Sequence, residues 1–256
     1  MPAPTLVVGA PCWIDLYSSD TAKATEFYSR LFGWKAEPPE EGFGGYFVFN
    51  KDGKVVAGCM LNDGEAGYPD AWGVHLMTDN VEAVAKAVPQ HGGSVEMGPM
   101  EVGENGSSAM IRDPGGAILG AWQPRSQKGF EVTGEPGTPA WFELHTREYG
   151  KSVDFYREVF GWDTHAVSDT DEFRYTTLGE GENQLAGIMD DTAVSGDDDP
   201  AHWAVYFKVD DADAALEKVV ELGGKVVRPA EDTPYGRLAQ AADPTGSVFR
   251  IVADNS

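Results

Sequence analysis

Pro11-Cys12-Trp13-Ile14-Asp15-Leu16, running on through Glu26-Phe27-Tyr28 to Leu31-Phe32-Gly33-Trp34, returns as Pro139-Ala140-Trp141-Phe142-Glu143-Leu144, then Asp154-Phe155-Tyr156 and Val159-Phe160-Gly161-Trp162. The offset is 128 residues throughout (141 − 13, 162 − 34). A constant offset over half a chain marks a duplicated folding unit, and it guides the architecture before any single residue does.

Finer repetition divides each half again. Trp72-Gly73-Val74-His75-Leu76, a helical stretch, Gly92-Gly93 and the turn Asp113-Pro114-Gly115-Gly116 recur as His202-Trp203-Ala204-Val205, a helical stretch, Gly223-Gly224 and Asp243-Pro244-Thr245-Gly246. The chain therefore holds four modules in two pairs. Ala10 to Leu16 reads as a strand, and Ser18, Ser19, Asp20 and Thr21 supply side chains able to cap a helix start. Ala24, Phe27, Tyr28, Leu31 and Phe32 recur at spacings of three and four, the apolar stripe of an amphipathic helix, with Gly33 where a left-handed cap is usual. Strand-like Tyr46-Phe47-Val48-Phe49 and Val55 to Met60 follow, and the other modules repeat the pattern. The spacing predicts modules over 10–62, 71–123, 138–190 and 201–253. The domains are then 1–124 and 138–256, joined by a linker, 125–137, that includes polar Arg125-Ser126-Gln127-Lys128-Gly129 and Thr133-Gly134-Glu135-Pro136-Gly137. The acidic stretch from Asp190-Asp191 to Asp199-Pro200 is expected to be a solvated loop.

Composition bounds the function. In 256 residues, 19 Lys and Arg stand against 42 Asp and Glu, a formal charge of −23, which repels nucleic-acid phosphate and anionic membrane surfaces. Cys12 and Cys59 lie in apolar stretches and read as small buried hydrophobes. With no leader-like N-terminus and no apolar run near the roughly 20 residues that cross a bilayer, a cytoplasmic protein is expected. Neither half carries a Gly-x-Ser-x-Gly elbow, a phosphate loop, a dinucleotide fingerprint or a zinc spacing.

Four βαβββ modules, the Phe-Tyr…Phe-Gly-Trp helix end, the Gly-Gly pair and the Asp-Pro-x-Gly hairpin resemble the vicinal oxygen chelate superfamily of glyoxalase I, extradiol dioxygenases and bleomycin-resistance proteins. The resemblance covers roughly residues 10–123 and 138–253, and the duplicated form is similar to two-domain actinobacterial proteins labelled glyoxalase-like, including auxiliary proteins of anthracycline biosynthesis. It implies an α+β fold in which paired modules form two cup-shaped mixed sheets. In metal-using members a His, Gln or Glu enters the cup from the first and last strand of each module and holds a divalent ion. The matching first-strand positions here are Trp13, Gly73, Trp141 and Ala204. The last-strand positions fall near Gly58 or Met60, Gly187 or Met189, Gly120 and Arg250. None offers an imidazole or carboxylate, so neither a metal nor another cofactor is expected.

A shift of two places along a strand keeps the same face, and brings Asp15, Glu143, Tyr17, His145, His75 and Tyr206 into the cups. His75 with Asp15, or His145 with Glu143, stays open as a partial metal site, though no third or fourth ligand can be named. Glu143, His145 and Asp15 are the candidate catalytic groups; each carboxylate shares a strand face with a Trp, which can raise its pKa by desolvation, or else it faces water or pairs with Arg250 or Lys208. His91, His165 and His202 sit at helix, strand or loop edges. Trp13, Tyr17, Trp141 and Tyr206 suit a flat organic ligand, and the small residues Gly73, Gly120 and Ala204 are expected to leave the cup roomy.

The first reading is therefore a metal-independent binding or sequestering protein for an aromatic or polycyclic small molecule, acting as a monomer or homodimer. The alternatives are a glyoxalase- or dioxygenase-like metalloenzyme with shifted ligands, and a cofactor-free isomerase or hydrolase using a pocket carboxylate. Whether the chain is an enzyme is left open.

Overall fold

A computed structural model describes residues 6–39, 42–65, 67–193 and 200–255. The first half contains strands β1 (Pro11–Ser18), β2 (Lys35–Ala36), β3 (Phe47–Lys51), β4 (Lys54–Leu61), β5 (Ala71–Met77), β6 (Ser94–Val102), β7 (Gly106–Arg112) and β8 (Ile118–Pro124), with helices α1 (Thr21–Phe32) and α2 (Val81–Ala87). The second half repeats the series as β9 (Pro139–Thr146), β10 (Thr164–Asp169), β11 (Arg174–Leu178), β12 (Ala186–Asp190), β13 (His202–Lys208), β14 (Lys225–Thr233), β15 (Gly236–Ala242) and β16 (Val248–Ala253), with α3 (Tyr149–Phe160) and α4 (Ala212–Glu221).

Local chemistry sets the helix ends. The Asp20 carboxylate accepts from the Lys23 amide at 3.0 Å and caps α1, and Gly33, at φ 74°, closes it in the left-handed region. Gly161 closes α3 in the same way at φ 69°.

The strands form two eight-stranded mixed sheets in the orders β2-β3-β4-β1-β5-β8-β7-β6 and β10-β11-β12-β9-β13-β16-β15-β14. Modules therefore join within a half, through antiparallel β1·β5 and β9·β13. At these seams Trp13 faces His75, Asp15 faces Gly73, Trp141 faces Tyr206 and Glu143 faces Ala204. Odd-numbered residues of β1, β5 and β9 face the cups; even-numbered Ile14, Leu16, Val74, Leu76 and Leu144 are fully buried on the other face.

That other face is shared by the two halves in one continuous core. The residues that make the repeat recognisable tie the halves together. Trp72 Nε1 donates to the Tyr28 hydroxyl at 3.0 Å, and Tyr28 donates to Asp243 Oδ2, in the turn of the last module, at 3.1 Å. The duplicate, Trp203 to Tyr156 to Asp113 Oδ2, closes at 3.0 Å in both steps. Trp34 Nε1 reaches the Gly137 carbonyl at 2.6 Å and Trp162 Nε1 the Gly9 carbonyl at 2.8 Å. Aromatic contacts such as Phe32 with Phe207, 5.1 Å between centroids, fill the space around these bonds.

Residues 125–137 do not hang free between the halves. Phe130 and Val132 are buried, the Phe130 amide donates to the Cys12 carbonyl at 2.9 Å, and the Glu131 amide donates to the Val55 carbonyl at 3.1 Å. The Phe130 ring lies between Trp13 and Phe142, at 5.9 and 5.5 Å. The connection is a strap across the first sheet.

Candidate functional site

Each cup is centred on a carboxylate two places beyond its opening-strand Trp. In the first cup Asp15 Oδ1 accepts from Trp13 Nε1 at 2.9 Å and from the Tyr46 hydroxyl at 2.8 Å; the same indole N–H also lies 3.0 Å from the Tyr46 oxygen. His75 Nε2 closes on Asp15 Oδ2 at 2.9 Å, a tight contact without the geometry of a linear hydrogen bond. Asp15 and His75 are buried, and burial together with the Asp15 charge holds the Tyr17 and Tyr46 phenols protonated well above their ordinary range.

In the second cup Glu143 takes the same place with more partners. Its Oε2 accepts from Tyr175 at 2.6 Å, and its Oε1 accepts from Tyr206 at 2.8 Å, with His145 Nε2 at 2.8 Å and Arg250 Nη1 at 3.7 Å. Trp141 Nε1 donates to Tyr175 at 3.0 Å, as Trp13 does to Tyr46. His145 is also held on its far side, Nδ1 lying 3.1 Å from Asp191 Oδ1, and its ring stacks on His202 at 5.0 Å and 7°. Burial alone would raise the Glu143 pKa; the hydrogen bond and charge of His145, with Arg250 and Tyr175, outweigh it and hold the carboxyl at about 2. Burial likewise opposes charge on His145, but its two flanking carboxylates raise its pKa above the ordinary value. His202, half-buried, is pushed down by desolvation and by the neighbouring His145. Glu143 is therefore a fixed anion and a poor general base, not an acid poised near neutrality.

All the site residues inferred from the sequence, Trp13, Asp15, Tyr17, Gly73, His75, Gly120, Trp141, Glu143, His145, Ala204, Tyr206 and Arg250, lie on the cup-facing register of the two sheets. The roomy interior expected of the small residues is not what they provide. A Cβ on Gly120 would overlap the His75 imidazole, one on Gly58 would overlap Asp15 and Tyr46, and one on Gly187 would overlap the Tyr175 hydroxyl. Glycine on one strand makes space for the side chain of the next. Neither carboxylate faces open water, and Lys208 pairs with Asp254 instead. Tyr46, Tyr175 and Asp191 belong to the clusters and were not inferred. The two tyrosines recur at matching points of the repeat, which was the available signal; Asp191 sits in an acidic run expected to be solvated yet is buried. Residues 194–199 of that run lie outside the described residues.

His91 and His165 stand apart from both cups; His91 ends a short 3-10 turn and His165 pairs with Asp163 at 3.0 Å. Cys12 and Cys59 are buried free thiols, and burial raises the pKa of Cys59 to about 12. Among the described residues no group of three or more His, Cys, Asp or Glu side chains is arranged to hold a metal ion, and no helix is long and apolar enough to cross a membrane.

A family model for the glyoxalase/bleomycin resistance protein/dioxygenase superfamily matches residues 12–121 and 138–251. The chain is 39% identical over 261 residues to the anthracycline biosynthesis protein DnrV of Streptomyces peucetius, covering 95% of this chain and 93% of that protein. It is 34% identical over 249 residues to the putative glyoxylase CFP32 of Mycobacterium tuberculosis, covering 95% and 94%. Among solved structures, the Mn(II)-bound glyoxalase from Novosphingobium aromaticivorans superposes with a TM-score of 0.66 at 16% identity, over 97% of this chain and 83% of that one. The 2,3-dioxygenase LapB from Pseudomonas sp. KL28 gives 0.64 at 12% identity, over 99% and 94%. At such identities the likeness is one of fold.

Proposed function

The chain belongs to the glyoxalase/bleomycin resistance protein/dioxygenase superfamily, and from that premise we propose that it is a metal-independent binding protein for a flat, aromatic small molecule. One observation carries the reading. The positions that face the cups from the first strand of each module carry Trp13, Gly73, Trp141 and Ala204, and the carboxylates behind them are spent on indole, phenol and imidazole donors of this chain. A divalent ion needs several free nitrogen or oxygen donors converging at about 2.0–2.2 Å. Here the donor set does not fit the ion: Asp15 and His75 are in contact with each other, and Glu143 and His145 are closed by further partners. The same engagement gives no support to a metal site built from those four residues, or to Glu143 as a base.

The aromatic preference draws on the cup lining and on the relative named as an anthracycline biosynthesis protein. A tricyclic hydroxyanthraquinone, 1,8-dihydroxyanthraquinone, is a suitable probe because Trp13 and Trp141 report its approach by fluorescence quenching. The expected result is saturable quenching that is unchanged by EDTA or by added nickel, zinc, iron or manganese. Binding or turnover that appears only after metal loading would overturn the proposal.

A further inference from the structure

The chain has seven methionines, and five of them face the first cup. Met60 lies beside Tyr17 in the β1·β4 register, Met77 is two places beyond His75, Met110 pairs with Gly120, Met97 pairs with Met110, and Met100 pairs with Ser108. Bulges on both sides of Met97 bring Met97 and Met100 to the same face. Three of these side chains are not core filler: Met60, Met97 and Met100 are 37%, 52% and 48% exposed. The second cup, built from the same fold, has one methionine, Met189, beside His145. The row that is Trp13, His75, Gly120, Met110 and Met97 in the first cup becomes Trp141, Tyr206, Arg250, Gln240 and Arg228 in the second.

Thioether side chains are flexible and polarisable, make favourable contacts with aromatic edges, and recur on surfaces that accept apolar partners of varied shape. The second cup instead presents a linked network of Glu143, His145, Asp191 and Arg250 that a neutral ring would have to displace, where the first holds the single Asp15–His75 contact. Resting on the binding reading above, we propose that the two cups have divided their roles. The first binds a neutral, planar, polycyclic aromatic molecule against its methionine wall, above the floor of Trp13, Tyr17 and His75. The second does not bind it, because the Glu143–His145–Asp191–Arg250 network keeps that cup closed and ionic.

The test uses the full chain labelled at methionine methyl carbons and titrated with 1,8-dihydroxyanthraquinone, with Met60, Met97, Met100, Met110 and Met189 assigned by single replacement with Leu. Ring-current shifts of the first four methyls, with Met189 unmoved, are expected. Met97→Lys, at an exposed position, should weaken binding about tenfold, the equivalent of one or two lost sulfur–aromatic contacts, while Arg228→Glu leaves binding unchanged. If Met189 alone shifts, the binding reading stands and the division of roles is overturned. If no methyl shifts and no tryptophan is quenched, the binding reading itself falls, and this inference with it. If the same methyls move with protein concentration and not with the probe, the wall is a contact between copies of the chain and the proposal is wrong.

Discussion

Replacing each central carboxylate by its amide should have very different consequences in the two halves. In Asp15→Asn, the side-chain carbonyl can still accept from Trp13 and Tyr46, which both address Oδ1, while the new NH2 group takes the place of Oδ2 beside His75. Both hydrogen bonds keep their acceptor and only the His75 contact is altered, so the cost should stay near that of one weakened hydrogen bond, about 1 kcal/mol. In Glu143→Gln no orientation works. Oε2 accepts from Tyr175, while Oε1 faces Tyr206, His145 and Arg250, so the NH2 either leaves the Tyr175 hydroxyl without its acceptor or faces the donors gathered at Oε1. The substitution also leaves Arg250 without its carboxylate partner and His145 with Asp191 alone. Removing one partner of a buried ionic group costs about 3–5 kcal/mol.

Because the halves share one core, a single cooperative transition is expected, and each kcal/mol should lower Tm by roughly 2–4 °C in a chain of this size. Glu143→Gln should therefore melt roughly 6–20 °C below the parent, and Asp15→Asn within roughly 4 °C of it. Calorimetry with parallel urea titrations reads both values. Equal destabilisation by the two changes, or a Glu143→Gln protein as stable as the parent, would refute the account of the second cup as a closed ionic network. Binding of the anthraquinone probe should survive Glu143→Gln in whatever fraction remains folded, since the probe is assigned to the other cup.

Acid should weaken the protein through the same group. A carboxyl whose folded pKa is depressed contributes fully above its unfolded value of about 4.5 and loses that contribution as pH falls towards about 2, on the order of 3 kcal/mol here; urea midpoints at pH 3 and pH 6 should differ, and Glu143→Gln should flatten the difference. His145 runs the other way: its raised pKa stabilises the fold below about pH 6.5 and that share is lost as pH rises through the folded value. Gly120→Ala should destabilise by about 2 kcal/mol by driving the His75 ring from its slot, and a changed His75 imidazole resonance with stability unaltered would count against it. Tyr28→Phe leaves the buried Trp72 indole N–H without its acceptor and should cost about 2 kcal/mol, as should Tyr156→Phe for Trp203. A loss below 0.5 kcal/mol in either urea titration would show that the relay between the halves carries no net stability.

Duplication and the strand–helix–strands order were legible because the repeats carry punctuation: a stripe at helical spacing and a glycine stop in each half, with capping side chains at α1, α2 and α4. The cup-facing residues followed from strand alternation once the opening Trp was located. Cross-strand neighbours were not legible, because register decides them and no single strand records it. Gly120 therefore looked like space, although the space is taken by His75 from β5. Tyr46 looked like one more apolar residue of a strand-like run, although it precedes β3 and its hydroxyl crosses Gly58 to reach Asp15. Phe130 and Val132, two apolar residues in a polar stretch, are too few to show a period, so the sequence read the segment only as a linker and not as a strap packed on the first sheet.

The two repeats serve as an alignment of the chain with itself, and they have not diverged evenly. Tyr28 and Tyr156, Trp34 and Trp162, Trp72 and Trp203, and Asp113 and Asp243 are identical pairs, and each bonds a partner in the other half, or for Trp34 in the connecting strap, or completes a relay that does. A change at one of them strands a buried polar group across the interface, which confines these positions to one residue type. In the cups the Trp–Tyr–Gly frame around the carboxylate is also kept: Trp13, Tyr46 and Gly58 match Trp141, Tyr175 and Gly187. Around that frame the partners have changed, from Asp15, Tyr17, His75 and Gly120 to Glu143, His145, Tyr206 and Arg250. These replacements depend on one another. A longer carboxylate reaches Tyr206, Arg250 fills the side opened by exchanging glycine, and His145 carries the charge that Glu143 and Asp191 require. The second cup differs as a set, holding an interlocked ionic cluster where the first holds a smaller cluster below its methionines. One frame thus holds two chemically different surfaces, and a difference in what they bind is the expected consequence.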